Sequence, residues 1–480
     1  MQFISPWTAL LLADELIVAW IIVRMLRRPR DPRTMIAWIL ALALLPYLGL
    51  LLYLVFGEPR RRWHHRRRRR RRRRLGRCAP RLLQDRLHGA SGPGEPAAWL
   101  DSLMRLARRL TDFPATRGND VVLYHDPESV FAALQQAIES AGRSIHLEYY
   151  IFQPDETGRM IRDLLIARAR AGVECRLLLD YIGCWRLGRS FVRPMLEAGV
   201  KVAFALPMIP LRGRWRVNYR NHRKIVVIDG RTGFTGSKNI GDEYRGRLEK
   251  YGPWRDTHMR ITGPAVLHLQ DVFAEDWHYT TGERLLSDRY FPEPPGDGRH
   301  VVQIVPSGPD QDAPIMHQML FAAVSAARTE LEIITPYFVP DTSMVLALQS
   351  AAYRGVRVRL MIPARTDHRV VLWAGRGYYA DLCRAGVEIL EHDRIMLHSK
   401  VMIVDREWAM VGSANMDERS FRTNFELSTL LYSRALAEEL HADFESLRAG
   451  ARPVGLRDTA RQPPLEGILM GLARLASPLL

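Results

Sequence analysis

The sequence predicts an α/β fold of two similar halves, preceded by a transmembrane helical hairpin. Three observations predict it. Residues 35–56 carry no charge and are almost entirely apolar. From about residue 99, short β-rich apolar runs (121–124, 145–152, 175–181, 200–204, 224–228) alternate with helical stretches. Residues 222–239 and 398–415 repeat each other at a constant offset.

The apolar run is long enough, at roughly 33 Å as one helix, to cross a bilayer core. Trp38 near its start and Tyr53 near its end suit the two membrane interfaces. The earlier run, residues 7–26, contains Asp14, Glu15 and Arg24, so it reads either as a second span or as an interfacial or re-entrant helix. It lacks the basic start and small-residue cleavage site of a signal peptide. Arg24, near the end of the first run, forms a cluster with Arg27, Arg28, Arg30 and Arg33 between the runs, and thirteen arginines follow the second. A simple hairpin cannot place both clusters in the cytoplasm. The larger cluster decides, which expects the downstream region in the cytoplasm.

The formal net charge is +17, but Arg60 to Arg62, Arg66 to Arg74 and Arg77 are uninterrupted by any acid, and without them the basic excess falls to about four. The basicity is therefore local and speaks against a nucleic-acid partner. The Arg run is low in complexity and reads as a topology signal and tether, or as an attractor of anionic membrane lipids. Four cysteines show neither a CxxC pair nor metal spacing and read as ordinary thiols, with a Cys175–Cys184 disulfide left open. The expected organisation is a membrane anchor at 1–59, an Arg-rich tether and linker at 60–98 (GASGPGEP at 89–96), a first half at 99–295, a second half at 296–450 and a C-terminal tail at 451–480, apolar over 465–480, which reads as lying either against the domain or in the membrane interface.

The repeat is extensive. Residues 150–155 (YIFQPD) echo 337–341 (YFVPD), 170–177 (RAGVECRL) echo 353–360 (YRGVRVRL), and 197–200 (EAGV) echo 384–387 (RAGV). HRKIVVID at 222–229 echoes HSKVMIVD at 398–405, and each is followed by Gly-Ser-x-Asn: Gly236, Ser237 and Asn239, then Gly412, Ser413 and Asn415. Every member of this last set lies 176 residues from its twin. One HxKxxxxD arises by chance with a probability of roughly a few per cent; two with the same trailing residues do not.

These residues suit phosphodiester chemistry. His and Lys two apart on a strand share a face. Two such pairs allow a double displacement at phosphorus, one histidine attacking to form a phosphohistidine and the other protonating the leaving alkoxide. Lys224, Lys400, Asn239 and Asn415, with Ser237 and Ser413, are candidates to hold the phosphate oxygens. The candidate catalytic set is His222, Lys224 and Asp229 with His398, Lys400 and Asp405. Strand parity nevertheless sends both aspartates to the opposite face, which favours a structural role, and Asp229-Gly230 reads as a hairpin turn. A nucleophilic imidazole needs its other nitrogen held by an acceptor, and Asp256 and Glu426, downstream of the two motifs, are the candidates. The chemistry requires no cofactor and no metal, and the sequence offers no carboxylate cage for one.

The paired HxKxxxxD motifs resemble the phospholipase D superfamily over about residues 120–430. Within it the chain is similar to bacterial cardiolipin synthases over nearly its whole length, through YYIF (149–152), NHRK (221–224), GPAV (263–266), TPYFVPD (335–341), NMDERSF (415–421) and the SPLL ending (477–480). The resemblance implies a phospholipase D-like α/β sandwich in each half, motifs meeting between the halves, and transfer of a phosphatidyl group from one phosphatidylglycerol to another with release of glycerol. It implies His222 as nucleophile and His398 as acid/base, and supports Asp256 and Glu426 as their partners. A hydrolytic phospholipase D, another phosphatidyltransferase, a nuclease and a lipid-binding scaffold are the competing readings. The intact motifs oppose the scaffold, and the balanced charge of the soluble region opposes the nuclease. The insertion LPMIPLRGRW (206–215) reads as lipid-touching or as a surface loop. Both motifs lie on one chain, so no dimer is needed to build the site.

Overall fold

The structure, a computed structural model, describes residues 6–27, 32–45, 47–53, 98–207, 218–250, 252–366, 368–460, 464–475 and 477. The Arg run, the 89–96 linker, Cys78, nearly all of the 206–215 insertion and the last three residues lie outside them. The chain divides into two units: residues 1–66 with 208–218, and the remainder.

In the first unit, helices Pro6–Leu26, Pro32–Leu44 and Leu48–Leu52 gather Ile21, Met25, Leu42 and Tyr53 into a small apolar cluster. The expected continuous span over 35–56 is corrected here: the helix ends at Leu44 and a second begins at Leu48. Proline at position 46 has no N–H for a helical bond, and Tyr47 has a φ of 61°. Gly49 lies so close to Ala41 that a Cβ would stand 2.2 Å from its carbonyl oxygen. Trp38 and Tyr53, expected at opposite interfaces, meet edge to face at 5.4 Å. Among the described residues no helix is long and apolar enough to cross a membrane.

The second unit holds one large sheet and two separate two-stranded ladders. Its first half contributes β1 (Thr116–Tyr124), β2 (Ser144–Tyr149), β3 (Glu174–Asp180), β4 (Lys201–Ala205), β5 (Arg220–Asn221), β6 (Ile225–Ile228), β7 (Thr232–Gly236), β8 (Trp254–Arg255) and β9 (His258–Thr262). The second half contributes β10 (His300–Ser307), β11 (Glu330–Ile334), β12 (Phe338–Val339), β13 (Arg357–Pro363), β14 (Glu388–His392), β15 (Met396–Leu397), β16 (Val401–Val404), β17 (Trp408–Gly412), β18 (Met416–Asp417), β19 (Asn424–Tyr432) and β20 (Ala451–Val454). The order in the first half is β4-β3-β2-β6-β7-β9-β1, and in the second β14-β13-β11-β16-β17-β19-β10. Apart from β20, which adds an edge beyond β14, the halves match strand for strand, and antiparallel pairing of β1 with β10 joins them into one sheet.

Helices cover both faces of each half. Helices Pro127–Glu139, Glu156–Arg170 and Arg189–Glu197 pack Phe131, Ile161, Leu165 and Met195 on one face of the first half, and Ala265–Thr281 packs Val266, Leu269 and Phe273 on the other. In the second half Ile315–Ala326, Thr342–Tyr353 and Tyr379–Ala385 lie on one face and Arg434–Arg448 on the other. Four-residue β6 and β16 are apolar throughout because both faces are covered.

The sequence echoes now have causes. Asp155 and Asp341, which end the YIFQPD and YFVPD segments, accept the amide N–H groups of Gly158 and Met344 and so cap twin helices. Gly172 and Gly355, each just past the end of its helix, hold φ of 89° and 87°, where a side chain is strained. The thiols of Cys175 and Cys184 are free, each donating to a backbone carbonyl, of Leu165 and Tyr150 respectively, so the disulfide left open does not form.

Candidate active site

Each motif histidine is the residue just after a two-residue strand, and that strand pairs with the other half. β5 runs parallel to the start of β19, and the His222 N–H donates to Phe425 O at 2.9 Å. β15 runs parallel to β8, and the His398 N–H donates to Arg255 O at 2.8 Å. The residue after Phe425 is Glu426 and the residue after Arg255 is Asp256. The pairing therefore delivers each carboxylate to the opposite histidine: Glu426 Oε2 stands 2.9 Å from His222 Nδ1, and Asp256 Oδ1 stands 2.9 Å from His398 Nδ1.

The carboxylates are themselves held. Glu426 Oε2 also accepts from Ser413 Oγ at 2.6 Å, while Oε1 accepts from Ser420 Oγ and Asn424 Nδ2, both at 3.1 Å. Asp256 Oδ2 accepts the Trp254 indole N–H at 2.7 Å. Burial disfavours the Asp256 anion, yet His398, Lys238 and Lys400 hold its carboxyl far below the usual range. Burial likewise opposes ionisation of Glu426, and His222, Lys224 and the Ser413 hydroxyl outweigh it. Burial lowers His222 to about 4 against the pull of Glu426, and it lowers His398 with the help of Lys400. Both imidazoles are thus neutral near pH 7, and their ionised partners fix the proton on Nδ1, leaving Nε2 as the lone-pair nitrogen.

The two Nε2 atoms differ. Lys400 Nζ lies 2.9 Å from His398 Nε2 and donates to His398 O at 2.7 Å. Among the described residues Lys224 Nζ donates only to His222 O, at 2.7 Å, and it lies 5.5 Å from the Tyr150 ring centroid. Among the described residues none is hydrogen-bonded to His222 Nε2. Tyr150 sets its ring edge-on to His222 at 4.8 Å, and Trp254 lies 5.2 Å from His398. Burial and the Lys400 charge push Lys224 down to about 7.

The structure brings His222, Lys224, His398, Lys400, Asp256 and Glu426 together but moves other candidates out. Asp229 and Asp405 sit at the far ends of β6 and β16, about 13 Å of strand away for four residues. Asp229 accepts the amides of Gly142, Arg143 and Ser144, and Asp405 those of Arg328, Thr329 and Glu330. They staple the start of β2 and β11 and take no place beside the histidines. Ser237 and Ser413, expected on the phosphate, are fully buried and spend their hydroxyls on Thr257 O and on Glu426. Asn239 Oδ1 accepts from Ile151 N at 3.3 Å. Asn415 Oδ1 is buried without a hydrogen-bond partner among the described residues.

Reading the sequence missed several supports. Arg223, 2% exposed, donates to Glu426 O and Ser307 O and pairs with Asp276, fixing the backbone that carries Glu426. Its only sequence signal is its place between His222 and Lys224. Thr257 donates to Ser399 Oγ at 3.0 Å across the halves. The group Glu332, His441 and Glu445 has metal-ligand composition, but the Arg359 guanidinium pairs with both glutamates.

A family described as cardiolipin synthase, PLD-like domain, matches residues 134–277 and 320–448, and one described as phospholipase D-nuclease N-terminal matches 16–58. The chain is 38% identical to a cardiolipin synthase of Geobacillus thermodenitrificans, covering 94% of this chain and 90% of that one. It is 36% identical to a cardiolipin synthase of Alkalihalophilus pseudofirmus with the same coverage. The structure of phosphatidylserine synthase from Haemophilus influenzae superposes with a TM-score of 0.61 at 14% identity, over 79% of this chain and all of that one, a likeness of fold. Two motifs that complete each other across a duplicated sheet, in a chain that follows these relatives over nearly its full length, place this protein in the cardiolipin synthase family of phospholipase D-like enzymes.

Proposed function

We propose that this phosphatidyltransferase moves a phosphatidyl group from one phosphatidylglycerol to a second, yielding cardiolipin and glycerol, with His222 as the nucleophile. The observation that carries the assignment is the difference between the imidazoles: His222 Nε2 has no protein partner among the described residues, whereas His398 Nε2 is engaged by Lys400. His222 Nε2 attacks phosphorus and the bond to the glycerol oxygen breaks. The anionic phosphodiester, arriving beside Lys400, raises the proton affinity of His398, so that its Nε2, unprotonated in the free enzyme, takes up a proton from solvent as substrate binds and gives it to the leaving alkoxide. The neutral His398 then takes the proton of the second phosphatidylglycerol's hydroxyl. That oxygen forms the new P–O bond, and the P–Nε2 bond breaks to restore His222. Lys224, Lys400, Asn239 and Asn415 supply donors to the non-bridging oxygens. Asp256 and Glu426 stay ionised and steady the imidazolium character that develops.

The same reading puts the chain in the bacterial cell membrane with the catalytic unit on the cytoplasmic side, supported by the apolar sequence of residues 35–56 and the arginines that follow.

The test is the detergent-purified chain supplied with phosphatidylglycerol alone. Cardiolipin with free glycerol, absent from His222→Ala and His398→Ala, supports the proposal. An acid-labile phosphatidyl adduct in His398→Ala but not in His222→Ala supports the order of roles. Phosphatidic acid without cardiolipin assigns hydrolysis instead.

A further inference from the structure

The end of the sheet that carries the histidines also carries an apolar rim. The registers identify that end. Ile225 at the start of β6 opposes Glu148 near the end of β2, and Val401 at the start of β16 opposes Ile334 at the end of β11. His222 and His398 therefore lie beyond the C-terminal ends of the parallel strands. On the first half, the chain leaving β3 exposes Tyr181 and Trp185, the latter 72% exposed. Asp180 ties this loop to the site, accepting the Ile182 and Gly183 amides with one oxygen and the Asn221 amide with the other.

On the second half, the chain leaving β13 enters helix Arg369–Arg376, and helix Pro464–Leu475 packs on it. Arg474 donates to Gly377 O and covers the Tyr378 ring at 4.5 Å. Met470 and Ala473 face inward, while Ile468, Leu472 and Leu475 are 60%, 58% and 79% exposed. Spacings of four and three residues put these three on one stripe. Exposed Arg186, Arg189, Arg365, Arg369 and Arg474 stand among the apolar groups, and Glu466 is the one exposed acid described on the C-terminal helix. Apolar side chains ringed by arginines at one end of a molecule suit the surface of an anionic bilayer, where the arginines meet headgroups and the stripe enters the acyl boundary.

We infer that the outward face of helix Pro464–Leu475 docks the histidine end of the catalytic unit on an anionic bilayer, with Tyr181 and Trp185 at the lip of the other half. The inference rests on the reading of both substrates as membrane lipids, whose phosphates lie just below the surface such a rim would touch.

The test uses the full chain reconstituted into vesicles of phosphatidylglycerol and phosphatidylcholine, in a Cys78→Ser, Cys383→Ser background. A fluorophore is attached to Leu472→Cys, or to Tyr353→Cys, which is also exposed in the native chain but precedes β13 at the other end of the sheet. Quenching by acyl-chain nitroxide lipids several-fold stronger at position 472 than at 353 supports docking. Equal quenching at both positions, or none at 472, overturns it. Protection of position 472 from aqueous quenchers without acyl-chain quenching assigns the face to a protein contact and also overturns it. Ile468→Asp with Leu472→Asp is expected to slow turnover of vesicle lipid several-fold and to spare turnover of detergent-dispersed lipid; equal rates in vesicles count against docking. Because quenching is read without turnover, a docked but inactive protein refutes the substrate reading alone, and an active protein with position 472 unquenched refutes the docking alone.

Discussion

Asp256 belongs to the first half of the catalytic unit, and its carboxylate holds Nδ1 of His398, in the second half, at 2.9 Å. Glu426 returns the arrangement by holding His222. Neither half supplies the carboxylate that holds its own motif histidine.

Replacing Asp256 with Asn keeps the shape but removes the charge that fixes the tautomer and steadies the imidazolium. Turnover is expected to fall about 10²- to 10⁴-fold with little change in KM. Trp254→Phe, which removes one donor from Asp256, should give a much smaller loss. Steady-state kinetics of the two variants check both.

Crossed pairing makes activity a property of both halves. Chains cut in the 283–299 connection should be inactive singly, since each keeps a histidine without its acceptor. Co-expressed, they should regain activity through the β1–β10 seam. A product assay on the separate and combined fragments decides it.

Asp229→Ala and Asp405→Ala should injure the fold more than the chemistry. Each removes the acceptor of three backbone amides, which is expected to cost about 1–3 kcal/mol. A lowered melting temperature with near-normal turnover per folded molecule is the expected outcome. Loss of turnover in a fully folded variant would contradict the geometry.

The pH dependence of kcat/KM should be bell-shaped. His222 must be neutral to attack, so activity is lost as pH falls through about 4. Lys224 must be charged to hold phosphate and His398 must take up its second proton to release glycerol, so activity is lost as pH rises, for Lys224 through about 7 in the free enzyme. The bound anion favours the charged lysine, and the alkaline limb of kcat should lie higher than that of kcat/KM. A profile flat from pH 6 to 9 would refute the role given to Lys224.

Much of this was readable in the sequence because the duplication is close. The constant offset between motifs marked the histidines and lysines, and strand parity already turned Asp229 and Asp405 away from them. Asp229-Gly230 also announced its hairpin, whereas Asp405-Arg406 hid the same turn, with φ of 52° and 50°, behind a residue that rarely adopts it. The crossing was not legible. Linear order places Asp256 after His222 and Glu426 after His398, and only the pairing of β8 with β15 and of β5 with β19 exchanges them. The serines were misplaced because Gly-Ser-x-Asn gives the hydroxyl no direction, and the fold turns it toward a carboxylate or a carbonyl. The apolar run at 35–56 looked like one helix because hydropathy does not register where the backbone reverses.

The seam between β1 and β10 has a mechanical meaning. Two lobes meeting through a flexible linker can open like a clamshell to admit a substrate and close over it. Here the lobes share one hydrogen-bonded sheet, reinforced by the short ladders that carry the catalytic carboxylates. Parting the lobes would break those ladders and strip each imidazole of its acceptor at the same moment. The spacing of the two histidines is therefore as stiff as the sheet, and traffic of donor, glycerol and product must pass along the rim while the frame stays shut.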